Sequence, residues 1–247
     1  MFPIRDHNPS GRTPYMTYAL IAVNVSVFAL YWLTITSDRD MAWFFYNWGL
    51  VPDRFLAGQR PQSIVTSMFL HGGWMHLAGN MLFLWIFGDN LEDELGHVRF
   101  LGFYLLSGLA AGAAQVASDY ASPVPMVGAS GAIAGIMGGY LLLFPRAKVD
   151  VLFIFVIFFR IFAIPAWIVL GVWFAMQVFA GSTTPTTGGG VAYWAHAGGF
   201  LGGLALMLPF WLSLGGRGFW RQTQGHPPNP QATYSLSRSS IPKVGRR

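Results

Sequence analysis

The chain has 247 residues, of which 53% are hydrophobic and 10% charged, and a formal net charge of +5. Soluble domains carry about 25% charged residues, so the composition excludes an ordinary soluble fold and points to a polytopic membrane protein. There is no cysteine, which excludes disulfides, thiolate metal sites and a cysteine nucleophile. The basic residues lie at the ends and in loops rather than on one patterned face, which argues against nucleic acid as a partner.

The N-terminus, MFPIRDHNPSGRTP, is polar. It has no apolar core behind a charged start, so no cleaved signal peptide is expected, and residues 1–14 read as a tail. A transmembrane helix takes about 20 apolar residues. The expected spans are residues 17–36, 74–91, 99–118, 128–144, 163–180 and 191–212. Between the first two, residues 37–66 mix aromatics with charges, as interfacial segments do. Residues 149–159, VDVLFIFVIFF, are apolar but short and closed by Arg160. A run of that length is more often interfacial or re-entrant than spanning, so it reads as a dip or as the lead-in to the fifth span. The loop GSTTPTTGGG is flexible by composition. After residue 213 the chain is polar, Pro-rich and basic, which reads as a disordered tail over 213–247. The expected fold is an all-α polytopic bundle of six transmembrane helices, one domain over residues 15–212.

Six spans place both termini on one side, together with Arg5, Arg12, Arg99, Arg146, Lys148, Arg217, Arg221 and the basic residues of the tail. Arg39, Arg54 and Arg60 fall on the other. By the positive-inside rule the termini are then cytoplasmic, as expected for a multi-pass protein of the cell (inner) membrane.

Strongly polar groups inside a span are costly, so each one marks a candidate functional site. They are His71, His76 and Asn80 around the start of the second span, Ser130 at the start of the fourth and His196 near the start of the sixth. Asn24 and Gln177 are further polar residues without an evident partner. The even-numbered spans all enter from the same side, so their starts lie at similar depth and these residues can converge. A serine hydroxyl is a weak nucleophile until a base takes its proton, and histidine is the usual base. Ser130 and His196 supply that pair. No Asp or Glu lies within a span near that face, and Asp119 in the third loop is a remote candidate, so the pattern favours a Ser–His dyad. His76 and Asn80 are four residues apart and share a helical face. With the backbone N–H of Ser130 they would form an oxyanion hole. Gly131/Gly135, Gly198/Gly202 and Gly199/Gly203 have the small-xxx-small spacing that lets helices approach closely, which would bring the fourth and sixth spans together.

Each feature has a blander reading. Ser130 taken alone is a packing serine, His196 a buried histidine bonded to a carbonyl, and His76 and Asn80 interhelical polar contacts. A metal site on His71, His76 and His196 would lack a carboxylate and leave Ser130 without a role. A transporter or channel would spread polar residues through the bilayer, whereas here they gather at one end. The cluster DNLEDELGHVR after the second span reads as a structural cap.

These residues resemble the rhomboid family of intramembrane serine proteases over roughly 15–212. HGGWMHLAGN (His71, His76, Asn80) is similar to the family's histidine-and-asparagine motif. GASG at 128–131 (Gly128, Ser130, Gly131) is similar to its nucleophile motif, and AHAGG at 195–199 (His196) to its sixth-helix histidine motif. The resemblance implies a serine endopeptidase that cleaves transmembrane protein substrates in the lipid bilayer near a helix end. Its water-filled cavity would open to the extracytoplasmic side, and it would need no metal or cofactor. It further implies a lateral gate between the fifth and second helices, which would set Trp167, Trp173 and Phe174 opposite Met81, Phe83 and Trp85. Two departures stand out. Ala134 occupies the position where some members carry an aromatic that stacks on the catalytic histidine. Gln62 and Ser63 stand near the place where many members carry a Trp–Arg pair. The alternative is a non-catalytic relative that binds or chaperones transmembrane clients. The sequence leaves substrate identity and oligomeric state open.

Overall fold

A computed structural model of the chain describes residues 2–155, 158–184 and 190–229. The order along the chain is β1 (Phe2–Asp6), α1 (Tyr15–Thr34), α2 (Asp38–Trp48), α3 (Pro52–Leu56), α4 (Ser63–Thr66), a 3-10 turn (Ser67–Phe69), α5 (Trp74–Leu95), α6 (His97–Ser118), α7 (Ser130–Leu143), β2 (Lys148–Phe155), β3 (Phe158–Pro165), α8 (Ala166–Thr183), α9 (Tyr193–Ser213) and α10 (Arg217–Thr223). The protein is mostly helical. Helices α1, α6, α8 and α9 are long and apolar enough to cross a bilayer, which makes it a multi-pass membrane protein. Helix α7 is apolar but shorter, and α5 carries Glu92, Asp93 and Glu94 in its last turns.

Helix α7 is the centre of the molecule. Every residue from Gly131 to Tyr140 is buried, and the helix packs chiefly against α9, then α6 and α5. Glycines set the spacing. A Cβ on Gly199 would lie 2.0 Å from the Gly131 carbonyl oxygen, and one on Gly203 would lie 2.1 Å from that of Gly135. One on Gly138 would lie 2.2 Å from the Phe200 carbonyl oxygen. Backbone therefore rests on backbone along the α7–α9 seam. In lipid, dispersion and close approach rather than water exclusion hold helices together. Around the seam, Phe87, Phe100, Tyr104, Tyr140 and Phe144 fill the core.

The first loop is folded, not merely interfacial. Ser37 caps α2 by accepting from the Asp40 N–H at 3.1 Å, and α2 leaves Trp43 and Tyr46 exposed. In place of a Trp–Arg anchor, Arg54 lies over the Tyr46 ring at 4.3 Å, Arg60 donates to Asn47 at 3.2 Å, and Thr66 Oγ1 donates to the Trp48 carbonyl at 2.7 Å.

Beside the helices the described residues hold a three-stranded sheet, which the expectation of an all-α bundle did not include. The run read as a dip or as the lead-in to the fifth span is strand wherever it is described: β2 and β3 pair antiparallel, in register from Lys148 opposite Pro165 to Phe155 opposite Phe158, and residues 156–157 lie outside the described residues. The run is rich in β-branched and aromatic residues, which favour a pleated surface. Alternate residues Val149 and Val151 are fully buried while β3 exposes Phe159, Ile161 and Phe162. Strand β1 completes the order β1-β2-β3, antiparallel to β2, with a register shift between Pro3 and Arg5. The first residues are thus a strand rather than a tail. Arg5 Nε and His7 Nε2 each lie 2.7 Å from an Asp150 carboxylate oxygen. Burial alone would raise the Asp150 carboxyl, but those two partners outweigh it and hold the group below its usual range. Because β3 continues to Pro165, the fifth long helix starts at Ala166 rather than at residue 163.

The segment expected as a disordered tail is also ordered at first. Phe219 of α10 is buried and Trp220 Nε1 donates to the Leu142 carbonyl at 2.9 Å. Asn229 Nδ2 reaches Asp93 at 3.0 Å. The rest of that segment, 230–247, lies outside the described residues, as do residues 185–189 of the loop GSTTPTTGGG.

Gly199→Ala places a methyl group on the Gly131 carbonyl, so one helix must shift. Overpacking of this kind costs about 1–3 kcal/mol, and thermal unfolding followed by circular dichroism in detergent should show a lowered midpoint.

Candidate active site

Ser130 is the first residue of α7, and His196 lies one turn into α9. The α7–α9 seam brings these helix starts together. Ser130 Oγ is 2.8 Å from His196 Nε2. The other ring nitrogen, Nδ1, is 2.8 Å from Oε1 of Gln177 on α8. An amide oxygen only accepts, so Nδ1 carries the proton and Nε2 is left to accept from the Ser130 hydroxyl. The Gln177 amide nitrogen in turn points back along α8 to the Trp173 carbonyl at 3.5 Å. Trp173 places its ring 5.8 Å from the imidazole, tilted by 36°. Ala134 is fully buried in the core. The brace on His196 therefore comes from α8, not from α7.

On the other wall, His76 and Asn80 stand one turn apart on α5. A Cβ on Gly128 would lie 2.8 Å from His76 Nε2, so the imidazole rests against the backbone leading into Ser130. Gly128 has φ +134, a conformation open essentially to glycine alone. Its N–H donates to the Ser67 carbonyl at 2.9 Å. The backbone N–H of Gly72 points at His76 Nδ1 at 3.4 Å, which leaves the proton on Nε2, facing Gly128 and Ser130. Asn80 is nearly buried, and its Nδ2 has no hydrogen-bond partner among the described residues. His76, Asn80, Ser130 and His196 all line one cavity of about 490 Å³, with Phe83 and Trp173 among its apolar walls.

Two expected members sit elsewhere. His71 is fully buried and does not reach the cavity. The Tyr31 hydroxyl accepts from its N–H at 2.8 Å and donates to its carbonyl at 2.6 Å, while its ring packs edge-on to His76 at 5.2 Å. It is a buttress. Gly131 serves packing: a Cβ there would meet that of Ala111 at 2.5 Å. The gate residues divide. Phe83 and Trp173 line the cavity. Trp85, two residues on and roughly 200° around the helix, instead stacks on Tyr18 of α1 at 5.5 Å. Trp167 is six residues before Trp173, about 9 Å along the axis, and lies in a separate basic concavity. Gln177 is the functional candidate without a partner in sequence. A polar amide inside an apolar span was the signal for it, but its neighbour 19 residues on is visible only in three dimensions.

The model of the rhomboid domain matches residues 59–213. The chain belongs to the rhomboid family. Rhomboid protein 1, mitochondrial, of Saccharomyces cerevisiae is 34% identical over 145 residues, 57% of this chain and 39% of that protein. Rhomboid protease GluP of Bacillus subtilis is 35% identical over 128 residues, 52% of this chain and 24% of that protein. Presenilin-associated rhomboid-like protein, mitochondrial, of Homo sapiens is 28% identical over 137 residues, 55% of this chain and 34% of that protein. The chain thus spans well under half the length of these relatives, which come from mitochondria as well as from a bacterium.

The Gln177 contact predicts one tautomer. Histidine-selective nitrogen NMR of the wild type should report His196 protonated at Nδ1. Gln177→Leu removes the acceptor and should give a mixture of tautomers; an unchanged spectrum would show that Gln177 does not orient the ring.

Proposed function

We propose that this rhomboid is an intramembrane serine endopeptidase that cleaves transmembrane segments near a helix end. The observation that carries the reading is the run of contacts from Ser130 through His196 to Gln177, with 2.8 Å at each step, on the wall of a cavity that also holds two unused donors. Ser130 Oγ attacks the scissile carbonyl while His196 Nε2 takes its proton. The oxyanion that forms faces the backbone N–H of Ser130, Nε2–H of His76 and Nδ2 of Asn80. His196 then hands its proton to the leaving amine, and the C–N bond breaks to leave an acyl-enzyme on Ser130. In the second half a water molecule gives His196 a proton, attacks the ester, and Ser130 recovers its hydrogen. Gln177 holds Nδ1–H throughout, the place a carboxylate takes in a triad.

In this reading six helices cross the bilayer: α1, α5, α6, α7, α8 and α9. They form one unit over residues 15–212, to which β1 and α10 are attached. Helix α7, at 14 residues, is about 21 Å long against a hydrocarbon core of about 30 Å. Its N-terminus therefore stops short of the membrane surface and sets Ser130 below it, where the cavity above admits water. Both termini are cytoplasmic, and the enzyme belongs in the cell (inner) membrane, with the cavity facing outward. Substrate enters beside Phe83 and Trp173, where α8 packs on α9 and α7 and makes little contact with α5.

Cleavage of a single-span reporter in liposomes should fall by about 10⁴-fold or more in Ser130→Ala and His196→Ala, and by about 10²–10³-fold in Asn80→Ala. A fluorophosphonate should label Ser130 in the wild type. A folded wild type that neither cleaves nor labels would favour the non-catalytic, client-binding alternative.

A further inference from the structure

Far from Ser130, where α7 ends and α8 begins, a concavity of about 510 Å³ is lined by Arg146, Arg217, Arg221, Trp167 and Trp220. It is a built feature. The Arg146 N–H donates to the Gly225 carbonyl at 2.9 Å and that of Trp167 to the Pro145 carbonyl at 3.0 Å. The Trp220 indole is fixed on Leu142, and its ring lies 4.8 Å from that of Trp211. Three arginines thus line one hollow. Among the described residues no carboxylate lies within ion-pair distance of any of them, and none lines the hollow. Lys148 adds to the same field. His226 nearby is held below its ordinary value, first by burial and then by the charges of Lys148 and Arg146.

Like charges gathered without an acid favour an anion, and a guanidinium fork matches the oxygens of a phosphate. The level of the hollow narrows the source. It lies at the ends of α7 and α9 and the start of α8, where apolar helix gives way to polar chain, which is the boundary of a bilayer. Trp167 is 56% exposed there, as an interfacial tryptophan is. From it, α8 exposes Val172, Met176 and Phe179 in succession, an apolar track along which an acyl chain can lie.

We propose that this hollow binds the headgroup of an anionic phospholipid, with Arg146, Arg217 and Arg221 on its phosphate oxygens and Trp167 and Trp220 against its glycerol and upper chains. The site is independent of the chemistry at Ser130. It gives α10 a function, because that short helix supplies two of the three arginines.

The test is a native mass-spectrometric titration of the full chain in detergent with phosphatidylglycerol, phosphatidylcholine and inorganic phosphate. Phosphatidylglycerol should be retained over phosphatidylcholine by tenfold or more, and millimolar phosphate should not displace it. Each guanidinium removed should weaken binding roughly fivefold, so the triple variant Arg146→Gln, Arg217→Gln, Arg221→Gln should bind on the order of a hundredfold less tightly. An equal change of net charge elsewhere, Arg39→Gln, Arg99→Gln, Arg160→Gln, should leave binding unchanged. If the first triple variant loses its helical spectrum, single Arg217→Gln and Arg221→Gln take its place. Equal retention of the two lipids, unaltered binding by the variants, an equal loss in the control, or displacement by free phosphate would each overturn the proposal.

Discussion

The carbonyl oxygens of Gly131 and Gly135 occupy the space that Cβ atoms at positions 199 and 203 would need. That backbone-to-backbone contact between α7 and α9 is the constraint on which the site depends. Both helices present their polar residue at the same end, Ser130 at the first position of α7 and His196 in the first turn of α9. Only with the axes this close do a short serine and a histidine meet at 2.8 Å. A seam of alanines or valines would leave the same two residues too far apart for a hydrogen bond. Gly131 is therefore packing material, as Gly128 is not, and the packing is what brings the hydroxyl to the imidazole.

A second constraint follows from burial. Polar groups in an apolar bundle must be satisfied or kept for use. Some are satisfied within the bundle. Asn24 bonds the Leu20 carbonyl, Glu92 accepts from Met16, Thr17 and His97, and Tyr140 joins Asp6 to Asn8. Several buried side-chain polar atoms have no hydrogen-bond partner among the described residues, and of these Asn80 Nδ2 belongs to a residue that lines the cavity. In the proposed reading this donor faces the oxyanion, with its orientation set before any substrate arrives.

Much of this was legible in the chain. Six long apolar segments, their common polarity of entry and three polar motifs at one depth are properties of spacing, and spacing survives folding. Four of the expected spans are helices long and apolar enough to cross a bilayer, α1, α6, α8 and α9, and His76, Asn80, Ser130 and His196 line one cavity. What escaped has identifiable causes. Residues 149–159 are apolar apart from Asp150, too nearly continuous a run to separate strand from helix by period, and β1, one of the two strands that pair with β2, lies at residues 2–6. Gln177 carries a polarity signal, but not the identity of its partner. His71 shares a motif with His76, yet the Tyr31 hydroxyl that holds its backbone turns it out of the cavity. Trp85 and Trp167 entered the gate through the family resemblance alone; the 3.6-residue turn sends Trp85 to α1, and six residues of axial rise put Trp167 in the separate basic concavity. The polar composition after residue 213 hides Phe219 and Trp220, two aromatics that suffice to dock α10.

The central claim is that the glycine seam, and not the mere presence of the residues, makes Ser130 reactive. Its most direct test is the rate at which a fluorophosphonate labels Ser130 in Gly203→Ala, taken on the folded, monodisperse fraction. Gly203 lies two turns from His196 and touches none of the reacting groups. The account predicts a labelling rate at least about tenfold below wild type, although Ser130, His196 and Gln177 are all present. Labelling of Ser130 at the wild-type rate would contradict it.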